Sequence, residues 1–168
     1  LQAEYDEKSA SARELLDPPM RDLQLDTLAG VLDGSILVQN HCYRADEMAM
    51  MIEMSHEFNY QITAFHHAIE AYKIADLLAD EGICGALWAD WWGFKHEAYD
   101  MVPANIAIVD QARGGRGCAI VHSDDEVGIQ HLNQEAAKAL IAGIRAGYDI
   151  SKARAMRWIT SNPAIAAG

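Results

Sequence analysis

Short apolar runs that alternate with helical stretches constrain this chain more than any other feature. Each run is followed by residues whose apolar side chains recur at helical spacing. The runs repeat at intervals of roughly 25 to 30 residues, which is typical of βα units on a parallel sheet. We therefore expect an α/β fold, either a small doubly wound sheet or half of an eight-unit barrel. The four predicted strands cover 35–40, 61–65, 83–89 and 118–121.

The residues before the first apolar run predict surface helices, over 4–16 and 21–32. We therefore expect a helical segment over 1–34 and a single α/β domain over 35–168, which is long enough to bury a core. Leu1 is not an initiator residue, so we expect the chain to be a fragment.

The formal net charge of -12 argues against partners that require a basic face, namely nucleic acid and acidic membrane surfaces. No apolar run reaches the length of a membrane span. The three cysteines, Cys42, Cys84 and Cys118, are far apart and odd in number. That pattern favours buried free thiols in a reducing compartment over a disulfide framework. We therefore expect a cytoplasmic protein, unless an export signal precedes Leu1.

Polar side chains follow every predicted strand, at the edge where α/β enzymes build active sites. They are Asn40-His41, His66-His67, Asp90-Trp91-Trp92 and His122-Ser123-Asp124-Asp125. A single histidine at a strand end is more often structural than functional. Histidines on two strands and an aspartate on a third predict a site.

Imidazole and carboxylate groups that converge from separate strands suit a zinc-like ion. Catalytic zinc commonly takes three protein ligands and leaves one position for water, whose pKa it lowers to roughly 7. A neighbouring carboxylate can accept the water's proton and return it to the leaving group. Calcium or magnesium would require more oxygen ligands.

Four segments together resemble the second half of a known enzyme family. The last of them matches a threonine-x-asparagine-proline-alanine run that is usual at the end of that family's barrel. The segments are 38–44 (VQNHCYR), 66–73 (HHAIEAYK), 120–124 (IVHSD) and 158–164 (WITSNPA). Over 36–168 the chain resembles the amidohydrolase superfamily, in the branch of imidazolonepropionase-like enzymes and metal-dependent prolidases and carboxypeptidases.

The resemblance implies the C-terminal half of a (β/α)8 barrel and a metal-dependent hydrolase of amide-type C–N bonds. It places the metal ligands at His41, His67 and Asp124. His67 is selected over His66 because a small residue and then a glutamate follow it, and Asp124 over Asp125 because it follows a serine. Catalysis is expected from His67 and Asp124, the latter acting as general base for a metal-activated water.

The resemblance also implies which side chains meet the substrate, which we expect to be a small molecule or peptide-like compound. The aromatic loop after the third strand would overhang the pocket, and two basic residues could bind a substrate carboxylate. The candidate substrate contacts are Tyr43, Arg44, His66, Trp92 and Lys95.

Several family features have no counterpart in this chain, namely the His-x-His pair after strand one and the residue that bridges two metals. We therefore expect one divalent metal ion here, with zinc favoured, whereas a complete enzyme could hold two. Half a barrel would expose two strand edges, which predicts a homo-oligomer. Two alternatives remain: a deaminase or dechlorinase of a nitrogen heterocycle, and a truncated domain without metal or activity.

Overall fold

The computed structural model describes residues 2–168. Contacts within the chain define two compact units, 1–36 and 37–168. The first unit carries three helices, α1 (Gln2–Asp6), α2 (Ala10–Arg13) and α3 (Leu23–Leu32). The single helix expected over 4–16 is therefore wrong. Ser9 interrupts it, because its hydroxyl accepts a hydrogen bond from the Ala12 amide and starts a new helix.

The second unit is built on a four-stranded parallel sheet with the order β1-β2-β3-β4. Helices connect consecutive strands, as the sequence pattern predicted, and the α/β fold class is confirmed. The strands are β1 (Val38–Cys42), β2 (Ile62–His67), β3 (Cys84–Leu87) and β4 (Cys118–Val121). The helices are α4 (Ala45–Phe58), α5 (Ala75–Glu81), α6 (Asn105–Gly115), α7 (Leu132–Arg145), α8 (Lys152–Arg157) and α9 (Ser161–Ala167).

The first two strands lie one to three residues later than expected. β1 ends at Cys42 and β2 ends at His67. Both predicted ligand histidines, His41 and His67, therefore lie within strands and not after them. His41 is paired with His66 in the register of the two strands. Strand pairing thus brings the histidines of β1 and β2 side by side.

Side-chain alternation gives the two faces of the sheet different characters. On one face, large apolar residues such as Phe65 and Leu87 are fully buried in the main core. Residues outside the sheet complete this core, among them Met48 of α4 and Trp158. The other face carries mainly small side chains, with Ile120 as the exception. Its buried cluster is Ala64, Cys84, Ala86, Ile120 and Ala166.

The expectation of three free thiols is wrong for two of them. Cys84 and Cys118 are directly opposite each other on β3 and β4, with their Cα atoms 4.5 Å apart, and form a disulfide. The pairing of the strands brings these sulfurs together although 34 residues separate them in sequence. Cys42 is a free, buried thiol.

The last helix is attached to the sheet by a buried side chain. α9 begins at Ser161. The Asn162 side chain is buried and donates to the carbonyl of Ala119 on β4, at 2.7 Å. Within residues 2–168, no helix combines the length and apolar character needed to cross a membrane.

Candidate metal centre

Four side chains meet at the carboxyl edge of the sheet, where the sequence placed the site. His41 comes from β1, His67 from β2, and His122 and Asp124 from the loop after β4. One nitrogen of His67, one of His122 and one oxygen of Asp124 all lie within 4.8 Å of one another. Parallel strands deliver these groups together because their carboxyl ends share one edge.

His67 is the centre of the group, because both of its ring nitrogens have partners. Its Nε2 lies 2.6 Å from His41 Nδ1. Its Nδ1 lies 3.2 Å from Asp124 Oδ2 and 3.3 Å from His122 Nε2. The two nitrogens point in different directions, so one ion can use only one of them.

The structure therefore offers two donor sets that share the His67 ring. Through Nδ1, His67 joins His122 and Asp124; through Nε2, it joins His41. The predicted set of His41, His67 and Asp124 does not surround a single His67 nitrogen. Sequence reasoning missed His122 as a candidate ligand, although its position directly after β4 was a signal.

The backbone at His67 adopts an unusual conformation. Its φ is +65°, and that of Ala68 is +38°, in the left-handed region that residues other than glycine rarely adopt. Such conformations cost about 1–3 kcal/mol each and are concentrated at functional sites. The turn changes the direction of the chain at the point where the His67 ring enters the cluster.

Burial keeps the central histidines neutral. It lowers the pKa of His67 to about 4, and repulsion from His122 and His41 acts in the same direction while Asp124 opposes it. Burial likewise lowers the pKa of His122 to about 4, again against the attraction of Asp124. Both imidazoles are therefore uncharged at pH 7, and their ring nitrogens lie 3.2 and 3.0 Å from the carboxylate oxygens of Asp124. Neutral imidazole is the form that binds metal.

The donor set fits a catalytic zinc site. Two imidazoles and a carboxylate are the ligand types that such sites use, and three protein ligands leave a coordination position for water. The side chain of His67 is 6% exposed, whereas that of Asp124 is 39% exposed. The nitrogen donors of His67 and His122 thus lie mostly buried, whereas solvent can reach the carboxylate of Asp124.

An aromatic wall borders the cluster. The ring of Tyr43 stacks on His67 with centroids 4.9 Å apart. Trp88, which sequence reasoning missed, lies 4.7 Å from His67 and is parallel to His122 within 7°. The ammonium of Lys95 donates to the Tyr43 hydroxyl and lies 3.9 Å from the centre of its ring.

The other predicted substrate contacts are placed less closely. The ring of His66 stacks on His41, and its Nε2 lies 2.8 Å from Gln39 Oε1. Arg44 donates two hydrogen bonds to Asp46, at 3.0 and 2.7 Å. Trp92 is 43% exposed, and its ring contacts no other aromatic ring in the part of the chain that the structure describes.

A cavity of about 350 Å³ lies beside the histidines, on the face of the sheet with small side chains. It is lined by His66 and His122 at one end and by Pro163 and Ala166 at the other. A larger cavity, of about 540 Å³, lies between Tyr72 and Tyr148 and contains none of the cluster residues. The 350 Å³ cavity therefore adjoins the candidate chemistry, as does a cavity of about 100 Å³ lined by Trp88 and His122.

Comparisons with known proteins found similarity in sequence and in fold. No family model matches the chain. The chain is 32% identical over 128 residues to the amidohydrolase tasK of Hapsidospora irregularis. That match covers 73% of the chain but only 13% of the length of the relative.

The fold is also similar to a crystal structure of an amidohydrolase from Thermotoga maritima. The TM-score is 0.72 at 24% identity, over 96% of this chain and 40% of that one. The chain thus matches a part of each relative, and its four βα units correspond to part of a barrel. By sequence and fold together, the chain resembles part of the barrel of these amidohydrolases.

Proposed function

We propose that the chain is part of a metal-dependent hydrolase that acts on amide-type C–N bonds. The observation that carries this proposal is the meeting of His67, His122 and Asp124 at the carboxyl edge of a parallel sheet. Both relatives are named as amidohydrolases, which supports the same reaction class. The substrate would be a small molecule or a peptide-like compound.

His67, His122 and Asp124 would hold the ion, which we propose to be zinc. When bound, zinc would supply Lewis acidity that polarises a carbonyl group and makes hydroxide available at neutral pH. His67 and His122 would contribute neutral imidazole nitrogens. The exposed carboxylate of Asp124 can accept the proton of an attacking water and deliver it to the departing amine.

The predicted ligand His41 has a separate place in this proposal. Its Nδ1 faces Nε2 of His67, away from Asp124. We propose that this pair supplies donors for a second ion in a complete enzyme, while the cluster of His67, His122 and Asp124 holds the single ion expected for this chain. The ring shared by the two sets would couple their affinities.

The substrate side of the site favours an amide that carries a carboxylate. Lys95 forms no ion pair with any carboxylate among residues 2–168, and its ammonium is held against Tyr43, whose ring stacks on His67. A cation without a counter-ion, one aromatic ring away from the metal donors, suits an anionic group of a substrate. His66 would line the same pocket, whereas Arg44 and Trp92 stay predictions.

A second candidate is hydrolytic deamination or dechlorination of a nitrogen heterocycle. It is favoured by the aromatic group next to the cluster, in which Trp91 and Phe94 pack on Trp88 with ring centroids 5.5 and 5.7 Å apart. Flat rings stack on such surfaces. Parallel assays of N-acyl amino acids and of amino- and chloro-heterocycles would separate the two activities.

Zinc titration of this chain tests the metal site. We expect one equivalent of zinc to bind, and His122→Ala to weaken it by more than the roughly 10- to 100-fold typical of an outer-shell change. His131→Ala, at an exposed histidine outside the cluster, is the matched control and should leave zinc affinity unchanged. Absence of stoichiometric uptake would instead support a truncated domain without metal.

The proton-transfer role requires a kinetic test on a gene product that contains this chain. Asp124→Asn keeps the size of the side chain but removes the basic carboxylate, so amide hydrolysis should fall by about 100-fold or more. Undiminished hydrolysis by Asp124→Asn would mean that the base lies elsewhere.

A further inference from the structure

Asn105 is a buried side chain at the start of α6 for which the proposed reaction has no use. It is 2% exposed. Its Nδ2 donates two hydrogen bonds, to the carbonyls of Ala68 at 3.1 Å and of Ile69 at 3.0 Å. These carbonyls belong to the two residues that follow His67. Both residues are fully buried, so their carbonyls need donors from within the protein.

The segment that Asn105 binds is the left-handed turn at His67 and Ala68. A backbone of this kind persists only where the surrounding structure holds it in place. One restraint comes from β1, since the Ala68 amide donates to the carbonyl of Cys42 at 2.9 Å. A second is local, since the same amide donates to the carbonyl of His66 at 2.8 Å and the Ala71 amide donates to that of Ala68 at 2.9 Å. A third comes from α6 through Asn105. The turn is thus held between the neighbouring strand and a helix that begins 38 residues further along the chain.

The amide of Asn105 is not fully satisfied by these contacts. Its Oδ1 is buried and has no hydrogen-bond partner among residues 2–168. Leaving such an oxygen unpaired costs about 1–3 kcal/mol. Exchanging the oxygen and nitrogen would give no relief, because the oxygen would then face two carbonyl oxygens. What the side chain contributes is therefore a pair of donors aimed at the turn.

We propose that Asn105 is a positioning residue for the candidate metal centre. By holding the left-handed turn, it keeps Nδ1 of His67 toward His122 and Asp124, and Nε2 toward His41. Without its donors, the carbonyl of Ile69 would lose its partner and that of Ala68 would keep only the Ala71 amide. The backbone of His67 would then relax toward negative φ, and the ring would leave the cluster. The inference rests on the proposed function only in taking the His67 ring as a metal ligand. The hydrogen bonds between Asn105 and the turn need no metal.

Asn162 provides a matched control. It is also 2% exposed, its Nδ2 also donates to a buried backbone carbonyl, that of Ala119, and its Oδ1 also lacks a partner in the described chain. Ala119 lies within β4 and not in a left-handed turn. Asn105→Ala removes two hydrogen bonds of this kind and Asn162→Ala removes one, but only the first frees the turn at His67.

The test uses two readouts on this chain. The first is nitrogen-15 NMR of the histidine rings without metal, which reports the hydrogen bond between His41 and His67. The second is zinc affinity by competition with a chromophoric chelator. Asn105→Ala should abolish the His67 ring signals of the native arrangement and weaken zinc binding about 10- to 100-fold. Asn105→Ser, which keeps one donor, should fall in between, and it decides the matter if Asn105→Ala does not fold.

Asn162→Ala should change neither readout, even where it lowers the free energy of unfolding as much. The proposal is overturned if Asn105→Ala or Asn105→Ser keeps native ring signals, or if Asn162→Ala loses them to the same extent. If the unaltered chain binds no zinc, the proposed hydrolase fails. The metal-free NMR readout would still decide the role of Asn105.

Discussion

At the scale of single residues, the site depends on which nitrogen of which histidine faces which partner. The sequence predicted His41, His67 and Asp124, and all three do lie at the carboxyl edge of the sheet. It did not predict that His122 would share the same His67 nitrogen with Asp124. The orientation of the His67 ring depends on a backbone φ of +65° at that residue. Neither His67 nor Ala68 is a glycine, so the sequence did not predict a positive φ there.

Lys95 leads to a prediction at this scale. Lys95→Gln should raise KM for a carboxylate-bearing amide about 10-fold or more, because a hydrogen bond to a charged group contributes roughly 1.5–3 kcal/mol. Its kcat should change little, since the ammonium is not a donor to the metal. Steady-state kinetics with the acid and its neutral amide analogue would measure the effect.

Two comparisons make that measurement specific to charge. The neutral analogue should show the same KM with either side chain at position 95. Lys152→Gln, at an exposed lysine of α8, should leave both substrates unaffected. An equal rise in KM for the acid and its neutral analogue would show that Lys95 acts through packing and not through charge.

At the scale of elements, hydrophobic periodicity located every strand of the sheet but not every boundary. β4 was predicted to the residue, because glycines precede it and a polar run follows it. β1 was predicted too early, since the apolar run 35–38 ends where the strand begins and pairing with β2 carries polar Gln39 and His41 into the ladder. The disulfide was missed because it depends on register, which periodicity does not determine.

The disulfide between Cys84 and Cys118 leads to a prediction for β3 and β4. A cross-link that closes a loop of this length stabilises a fold by about 3–4 kcal/mol, mainly through the unfolded chain. Reduction with dithiothreitol should therefore move the urea unfolding midpoint to lower concentration.

The double variant Cys84→Ala with Cys118→Ala is the control for that shift. It should unfold at similarly low urea, and dithiothreitol should have no further effect on it because Cys42 is already a free thiol. A midpoint that dithiothreitol leaves unchanged in the unaltered chain would show that the cross-link contributes no stability.

At the scale of the whole molecule, the sheet ends in β1 on one side and β4 on the other. Among the described residues neither strand has a partner on its outer side, and unpaired strand edges promote association. The structural comparison fits a sheet with two open edges, because the chain matches only 40% of the Thermotoga maritima structure. Apolar patterning predicted the alternation of strands and helices. The number of βα units in a closed barrel could not be predicted, because the pattern within one βα unit does not depend on it.

We predict that the chain associates with itself through these edges. With a formal net charge of -12 on each copy, repulsion opposes contact and salt should relieve it, since the screening length is about 10 Å at 0.1 M. Sedimentation velocity should show a dimer fraction that rises with protein concentration and with added sodium chloride. A sedimentation coefficient that stays that of a monomer at all concentrations and salt levels would contradict it.

The left-handed turn at His67 has a consequence for protein engineering. A designer who copies only the ligand side chains onto another scaffold would place His67 on an ordinary strand, and its ring would point in the wrong direction. The residues that must be transferred together are more than the ligands. They are residues 66–69 and an amide donor at the place of Asn105. Transplantation of this site is therefore a problem of main-chain shape before it is one of choosing ligands.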